Sequence, residues 1–263
     1  MSRLQYQREA DMLGPIAEAV RLLVGAQSSS RIFFEVPTAS GIPDIVVADL
    51  NESAITKRIE RGLSPVVDLP GVSVLRAIQH RYRMTQTTSD IADIREFVGL
   101  SRRYLTTKVL PELVQGGHID QVGKTDWAPT HAISSPAKKI YTIEVKVKDW
   151  RAGYNQALRH KISADRSWLV IDANRTTTVS AHHHWFKDAA LGLATLDTVG
   201  GVCRLIAPQG HPSTGNVYRE LLAERLFEMA TNGVVSGPVR HVFGADLTTT
   251  RGPDPRLAGV AAH

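Results

Sequence analysis

The chain has almost no cysteine: Cys203 stands alone among 263 residues. One thiol excludes an internal disulfide framework and any thiolate-rich zinc site, and it suits a reducing compartment. No apolar run approaches the ~20 residues that a membrane helix requires. The first fifteen residues, MSRLQYQREADMLGP, lack the apolar core of a signal peptide. These absences lead to the expectation of a soluble, cytoplasmic protein without a membrane partner. No internal repeat is visible. Cys203 sits in the apolar run GVCRLIA and reads as a buried strand thiol rather than a nucleophile.

What is present begins with 43% hydrophobic residues, enough for a real core, and the length fits one large or two modest domains. Two are expected. Lys and Arg number 31 against 26 Asp and Glu, for a formal charge of +5, which permits a polyanionic partner. Distribution says more than the total. Between Pro70 and Lys124 stand eight basic residues (Arg76, Arg81, Arg83, Arg95, Arg102, Arg103, Lys108, Lys124) against five acids. The excess lies in the middle of the chain.

Residues 5–24 carry Met12, Leu13, Ile16, Ala19, Val20 and Leu23 at helical spacing, with Gly14 and Pro15 marking a kink or break. RIFFEV and IPDIVVAD then give strand, turn, strand around PTASG. After Asp49 the pattern changes. Helices are expected over GVSVLRAIQHRYRM, over TTSDIADIREFVGL with Ser89 or Thr88 as N-cap, and over SRRYLTTKVLPELVQGG, followed by a short wing turning at Gly123-Lys124. Three helices and a hairpin make a winged helix-turn-helix, at residues 66–133. Beyond the linker SSPA, strand spacing returns in KIYTIEVKVKDW. A helix from about Arg151 to Ser163, the strand RSWLVID, a helix from about Ala181 to Leu191, a strand through GGVCRLIA and a helix over NVYRELLAERLFEMAT follow. Residues 1–50 and 138–243 thus form the two parts of one body, and residues 244–263 read as a loose tail.

Side chains alternate across a strand, so Glu144 and Lys146 share one face of YTIEVKVKDW and Ile143, Val145 and Val147 share the other. By itself that pair is an ordinary solvated sheet face. Pro43-Asp44, at the head of GIPDIVVAD, changes the reading if its strand lies beside the later one. Phosphodiester hydrolysis needs a divalent cation to offset charge and lower the pKa of an attacking water, and Mg²⁺ prefers carboxylate oxygens with several waters retained. Asp44 and Glu144 supply such oxygens, and Lys146 is placed to orient the water or stabilise developing charge.

Pro43-Asp44 followed by Glu144-Val145-Lys146 resembles the signature of the PD-(D/E)XK nuclease superfamily. The likeness covers about residues 5–50 and 138–207, in the order helix, three strands, helix, strand. It implies an α/β fold, a restriction-endonuclease-like mixed sheet flanked by helices and interrupted by an inserted winged-helix domain. It also implies Asp44, Glu144 and the Val145 carbonyl as ligands of Mg²⁺, with Mn²⁺ a possible substitute, and Lys146 as the catalytic lysine. Some members add an acid from the first helix or strand, matched here by Glu18 or Glu35, and a glutamine in the helix after the lysine, matched by Gln156. The gap between Asp44 and Glu144 is wider than a bare core would have, and the insertion accounts for it. Glu35 reads equally as the polar side of an edge strand, and Gln156 as a hydrogen-bonding neighbour or a surface position. His182, His183 and His184 splay around a helix and cannot all grip one ion.

A winged helix offers its third helix to the major groove. Arg102 and Arg103 at the start of that helix face bases or phosphates. Ser101, Thr106, Thr107 and Lys108 face phosphates, Lys124 sits at the wing tip, and Lys148 lies beside the proposed site with Asp149, Trp150 and Arg151. The expected activity is therefore a Mg²⁺-dependent endodeoxyribonuclease acting on double-stranded DNA, with a defence or restriction role implied by the resemblance. Because one centre cuts one strand, a homodimer is expected. The alternatives are a catalytically inactive nuclease fold serving as a DNA-binding regulator, and processing of RNA or branched DNA.

Overall fold

In a computed structural model of the chain, residues 5–132, 134–210 and 216–236 are described, with the backbone of residues 241–242 and 245–246. The tail expected to be loose from Gly244 lies outside the described side chains. Strand-forming runs converge first on one sheet. It contains β1 (Arg31–Phe34), β2 (Ile45–Leu50), β6 (Ala137–Lys146), β7 (Arg166–Asp172), β8 (Gly192–Leu196) and β9 (Val202–Ile206). Their spatial order is β1-β2-β6-β7-β8-β9, with β6 parallel to β7, β7 parallel to β8 and the remaining pairs antiparallel. The fold is mixed α/β, with helices on both faces.

The central strands read as nearly unbroken apolar runs because both of their faces are covered. On one face Ile45, Val47, Tyr141, Ile143 and Val145 pack under α1 (Ala10–Val24) through Met12, Ile16, Val20 and Leu23. On the other, Val46, Ala48 and Ile140 pack with Ile55 of α2 (Glu52–Glu60) and with Leu222, Leu226 and Phe227 of α10 (Val217–Thr231). Helix α1 runs continuously through Pro15 and ends at Gly25, whose φ of 68° gives the left-handed cap. The polar stretch after Asp49 is thus not the start of the middle unit. It forms α2, capped by the side chain of Asn51, and belongs to the outer body through Ile55.

The middle unit consists of α3 (Leu69–Thr85), β3 (Ser89–Asp90) and α4 (Ile91–Val98), then one helical rod made of α5 (Arg102–Tyr104), a π-turn (Leu105–Val109) and α6 (Leu110–Gln115), then β4 (Ile119–Val122) and β5 (Asp126–Pro129). The three strands pair antiparallel in the order β3-β5-β4. Ser89 is in the strand, and Asp90 caps α4 in a capping box with Asp93. Val74, Leu75, Ile78, Ile94, Leu105, Leu110, Ile119 and Trp127 form its core.

Leu221 and Val217 of α10 join that core, so one helix packs on both bodies. Its charged residues secure the two chain crossings. Glu224 accepts from Arg58 at 2.5 and 2.9 Å and from Val66 N–H at 2.9 Å, while Arg58 donates to the Ser64 carbonyl. Arg219 donates to Ser135, to the Ala137 and Lys138 carbonyls and to Asp165.

The far side of the sheet departs from expectation in two places. The helix expected over 181–191 is only the short α9 (His183–Asp188), preceded by a separate α8 (Thr176–Ser180), and GLATL after it is the strand β8. Cys203 is exposed rather than buried. It lies on β9, the sheet's outer strand, where residues 203 and 204 face solvent.

Candidate active site

The antiparallel register of β2 and β6 ends with Ile45 opposite Ile143. Continued by one residue, it sets Asp44 opposite Glu144, and directly opposed residues share a face. Lys146, two residues on, shares that face too. The two segments separated by a hundred residues therefore meet. Asp44 Oδ2 accepts from Val145 N–H at 2.7 Å. A strand residue points its N–H and C=O to the same neighbour, so the Val145 carbonyl faces the side on which Asp44 stands.

The pair is not a solvated sheet face. Glu144 is 2% exposed and Lys146 9%. Helix α7 (Trp150–His160), capped by Asp149, covers them. It comes this close because of Gly153: a Cβ there would stand 2.6 Å from Lys146 Cγ and 2.6 Å from Leu169 Cδ1. Lys146 Nζ lies 2.9 Å from Glu144 Oε1 and 3.1 Å from Glu9 Oε2. The other carboxylate oxygen of Glu144, Oε2, is buried without a hydrogen-bond partner and sits 3.3 Å from Nε2 of His160.

Three acids thus surround one amine. The Asp44 carboxyl is pushed up to about 7, first by burial and then by the negative charge of Glu144 and Glu9, against the pull of Val145 N–H and Lys146. Burial alone would lower the Lys146 ammonium, but Glu144, Asp44 and Glu9 outweigh it and raise it above the ordinary lysine value. Lys146 is accordingly a positive charge held among acids. Among the described residues no three His, Cys, Asp or Glu side chains form a metal-ligand group. The donors that fit a hard cation here are two carboxylates and one backbone carbonyl, with an unpartnered buried oxygen and an excess of negative charge.

The remaining expected residues fall in different places. Glu18 is exposed, nine residues along α1 from Glu9, about 13 Å by helical rise. Glu9, at the N-terminal end of the helix, is the acid that reaches Lys146. Glu35 donates its N–H to the Asp44 carbonyl and holds a left-handed φ of 48°. Its carboxyl, raised by burial, joins neither Lys146 nor Glu144. Gln156 is half-buried on α7, and its side chain makes no hydrogen bond among the described residues. His182 stacks on Trp150 at 4.9 Å, and His184 meets Trp185 edge-on, so the histidine run is packing rather than a ligand set.

On the middle unit, Ser101 caps the rod through Tyr104 N–H, and Thr106 and Thr107 bond back to the Arg102 and Arg103 carbonyls. Arg102, Arg103, Lys108 and Lys124 are exposed, with no acidic partner among the described residues; Lys148, beside the site, is likewise exposed. Glu9 and His160 escaped the sequence. Glu9 lies in a polar segment outside the apolar periodicity, whereas the spacing of Gly153 and His160, two turns apart on the inward face of α7, is a signal that was there to find.

Comparison with known proteins yields no family model, no curated protein and no solved structure that matches the chain.

Proposed function

We propose that the protein is a metal-dependent DNA endonuclease with a restriction-endonuclease-like core, and that the middle unit is a winged-helix reader of duplex DNA. The observation that carries this reading is the placement of Asp44 opposite Glu144 with Lys146 buried on the same face. Asp44, Glu144 and the Val145 carbonyl hold Mg²⁺, or Mn²⁺ in its stead. The cation supplies charge neutralisation and a water of lowered pKa. Lys146, held positive by its acids, would donate to a phosphate oxygen and offset the charge that develops on phosphorus. Glu9, 3.1 Å from the Lys146 ammonium, is a second acid that holds it. Helix α7 keeps bulk water from both, which strengthens each of these interactions.

The exposed basic run on the rod and Lys124 at the hairpin turn support duplex binding, because they are charges the fold leaves uncompensated. A homodimer provides the second cut, and a defence or restriction role fits such an enzyme. Supercoiled plasmid with Mg²⁺ tests the reading. The wild type nicks it, and Asp44→Ala and Lys146→Ala lose that activity by about 10²-fold or more. Equal nicking by all three removes the assignment. The tight Lys146–Glu144–Glu9 contacts favour a second reading, an inactive core that needs no cation; such a protein retains salt-dependent DNA affinity and gives no Mg²⁺ binding heat.

A further inference from the structure

One buried ring is left unexplained by the site so far: His160, at the last position of α7 and 2% exposed. Both ring nitrogens lack a hydrogen-bond partner, although Nε2 is 3.3 Å from the equally unpartnered Glu144 Oε2. Two adjacent buried orphans are costly as long as they remain unjoined, and a small rotation of the ring joins them. The ring has little other freedom. It lies against the backbone of Gly41, where a Cβ would stand 2.9 Å from Cε1 and where φ is 136°. Gly41 belongs to the loop that leads into Asp44. That loop is tied to the same helix end, since Ser40 Oγ donates to the Arg159 carbonyl at 2.8 Å and the Gly41 carbonyl accepts from Thr38 N–H and Thr38 Oγ1 at 2.8 Å.

Resting on the nuclease reading, we propose that His160 is a positioning residue: its Nε2–H, aimed by Gly41, holds Glu144 Oε2 and links the loop of Asp44 to the strand of Glu144. Glu144 is then fixed at both oxygens, by Lys146 on Oε1 and by His160 on Oε2, with lone pairs left for the cation. Loss of such a partner behind a carboxylate ligand typically weakens metal binding 10–100-fold.

The test is calorimetric titration of the full chain with Mg²⁺, paired with plasmid nicking and thermal melting. His160→Phe keeps the ring and its packing and removes the donor. It is expected to bind Mg²⁺ about tenfold more weakly and to nick with a lower kcat at unchanged KM for DNA, with the melting midpoint preserved. His160→Gln, which returns an N–H at about the same reach, restores most of both. Gly41→Ala, which displaces the ring without touching an acid, reproduces the loss. If His160→Phe binds Mg²⁺ as the wild type does, or if His160→Gln fails to rescue, the role of His160 is overturned while the nuclease reading stands. If the wild type itself binds no Mg²⁺, the nuclease reading falls and takes this role with it.

Discussion

Two clusters of buried charge lie toward opposite ends of the central strand β6, and they are built on opposite rules. Around α10, Arg58 meets Glu224 and Arg219 meets Asp165, charge for charge, with carbonyls and an N–H filling most of the remaining sites. Around the end of β6, three acids share one lysine, a carboxylate oxygen and both nitrogens of a histidine lack partners, and the Asp44 carboxyl is pushed up to about 7. A buried ion pair stabilises only when charge and geometry close. The first cluster closes and joins two bodies. The second stays unclosed around Lys146.

Removing one member should therefore act in opposite senses. Glu224→Ala strands Arg58 in the core and should cost about 3–5 kcal/mol, read as a large drop in the denaturation midpoint; a change below 1 kcal/mol would end the contrast. Acid should attack the same junction. His118, 2% exposed and close to Arg58, is lowered to about 4 by burial, by Arg58 and by His131. The unfolded chain takes up its proton near the ordinary value of about 6.5, so the stability this neutral histidine contributes is full above that pH. It is lost as pH falls toward 4, by about 3 kcal/mol. Urea midpoints for wild type and His118→Phe across pH 4–7 check the sign: the wild type should lose more on acidification.

Arginine offers the same contrast at the surface. Arg58 and Arg219 are paired with buried acids, whereas Arg102 and Arg103 are exposed and unpaired among the described residues. Arg102→Ala and Arg103→Ala should each weaken duplex binding by about 1 kcal/mol or more and lower the salt slope by about 1 if they meet phosphate. Fluorescence anisotropy over a salt series measures both. The smallest effect has the most telling sign. Asp44→Asn removes charge from an over-negative cluster and should leave the metal-free protein as stable as wild type or up to about 1 kcal/mol more so, as active-site strain predicts. Marked destabilisation would mean that Asp44 is a structural acid.

Much of this arrangement was legible in the residues. Period-two alternation placed Glu144 and Lys146 together, and the apolar runs at 45–50 and 140–147 already implied strands. The middle unit was legible because its caps and glycines punctuate the chain. Other parts were not. The α2 segment is polar on average and helical mainly because Asn51 caps it and Ile55 finds the α10 core. GLATL is too short an apolar run to separate from its neighbouring helix. Cys203 looked buried because an outer strand and an inner one carry similar residues. Glu9 joins the site only through tertiary approach, which local spacing does not encode.

The account stands on the open cluster holding a divalent cation. Titrating Mg²⁺ or Mn²⁺ into wild type, Asp44→Asn and Glu144→Gln by calorimetry measures this without any substrate. Saturable binding in the wild type, lost in both variants, is the predicted result. Identical heats in all three, or none in the wild type, would contradict it.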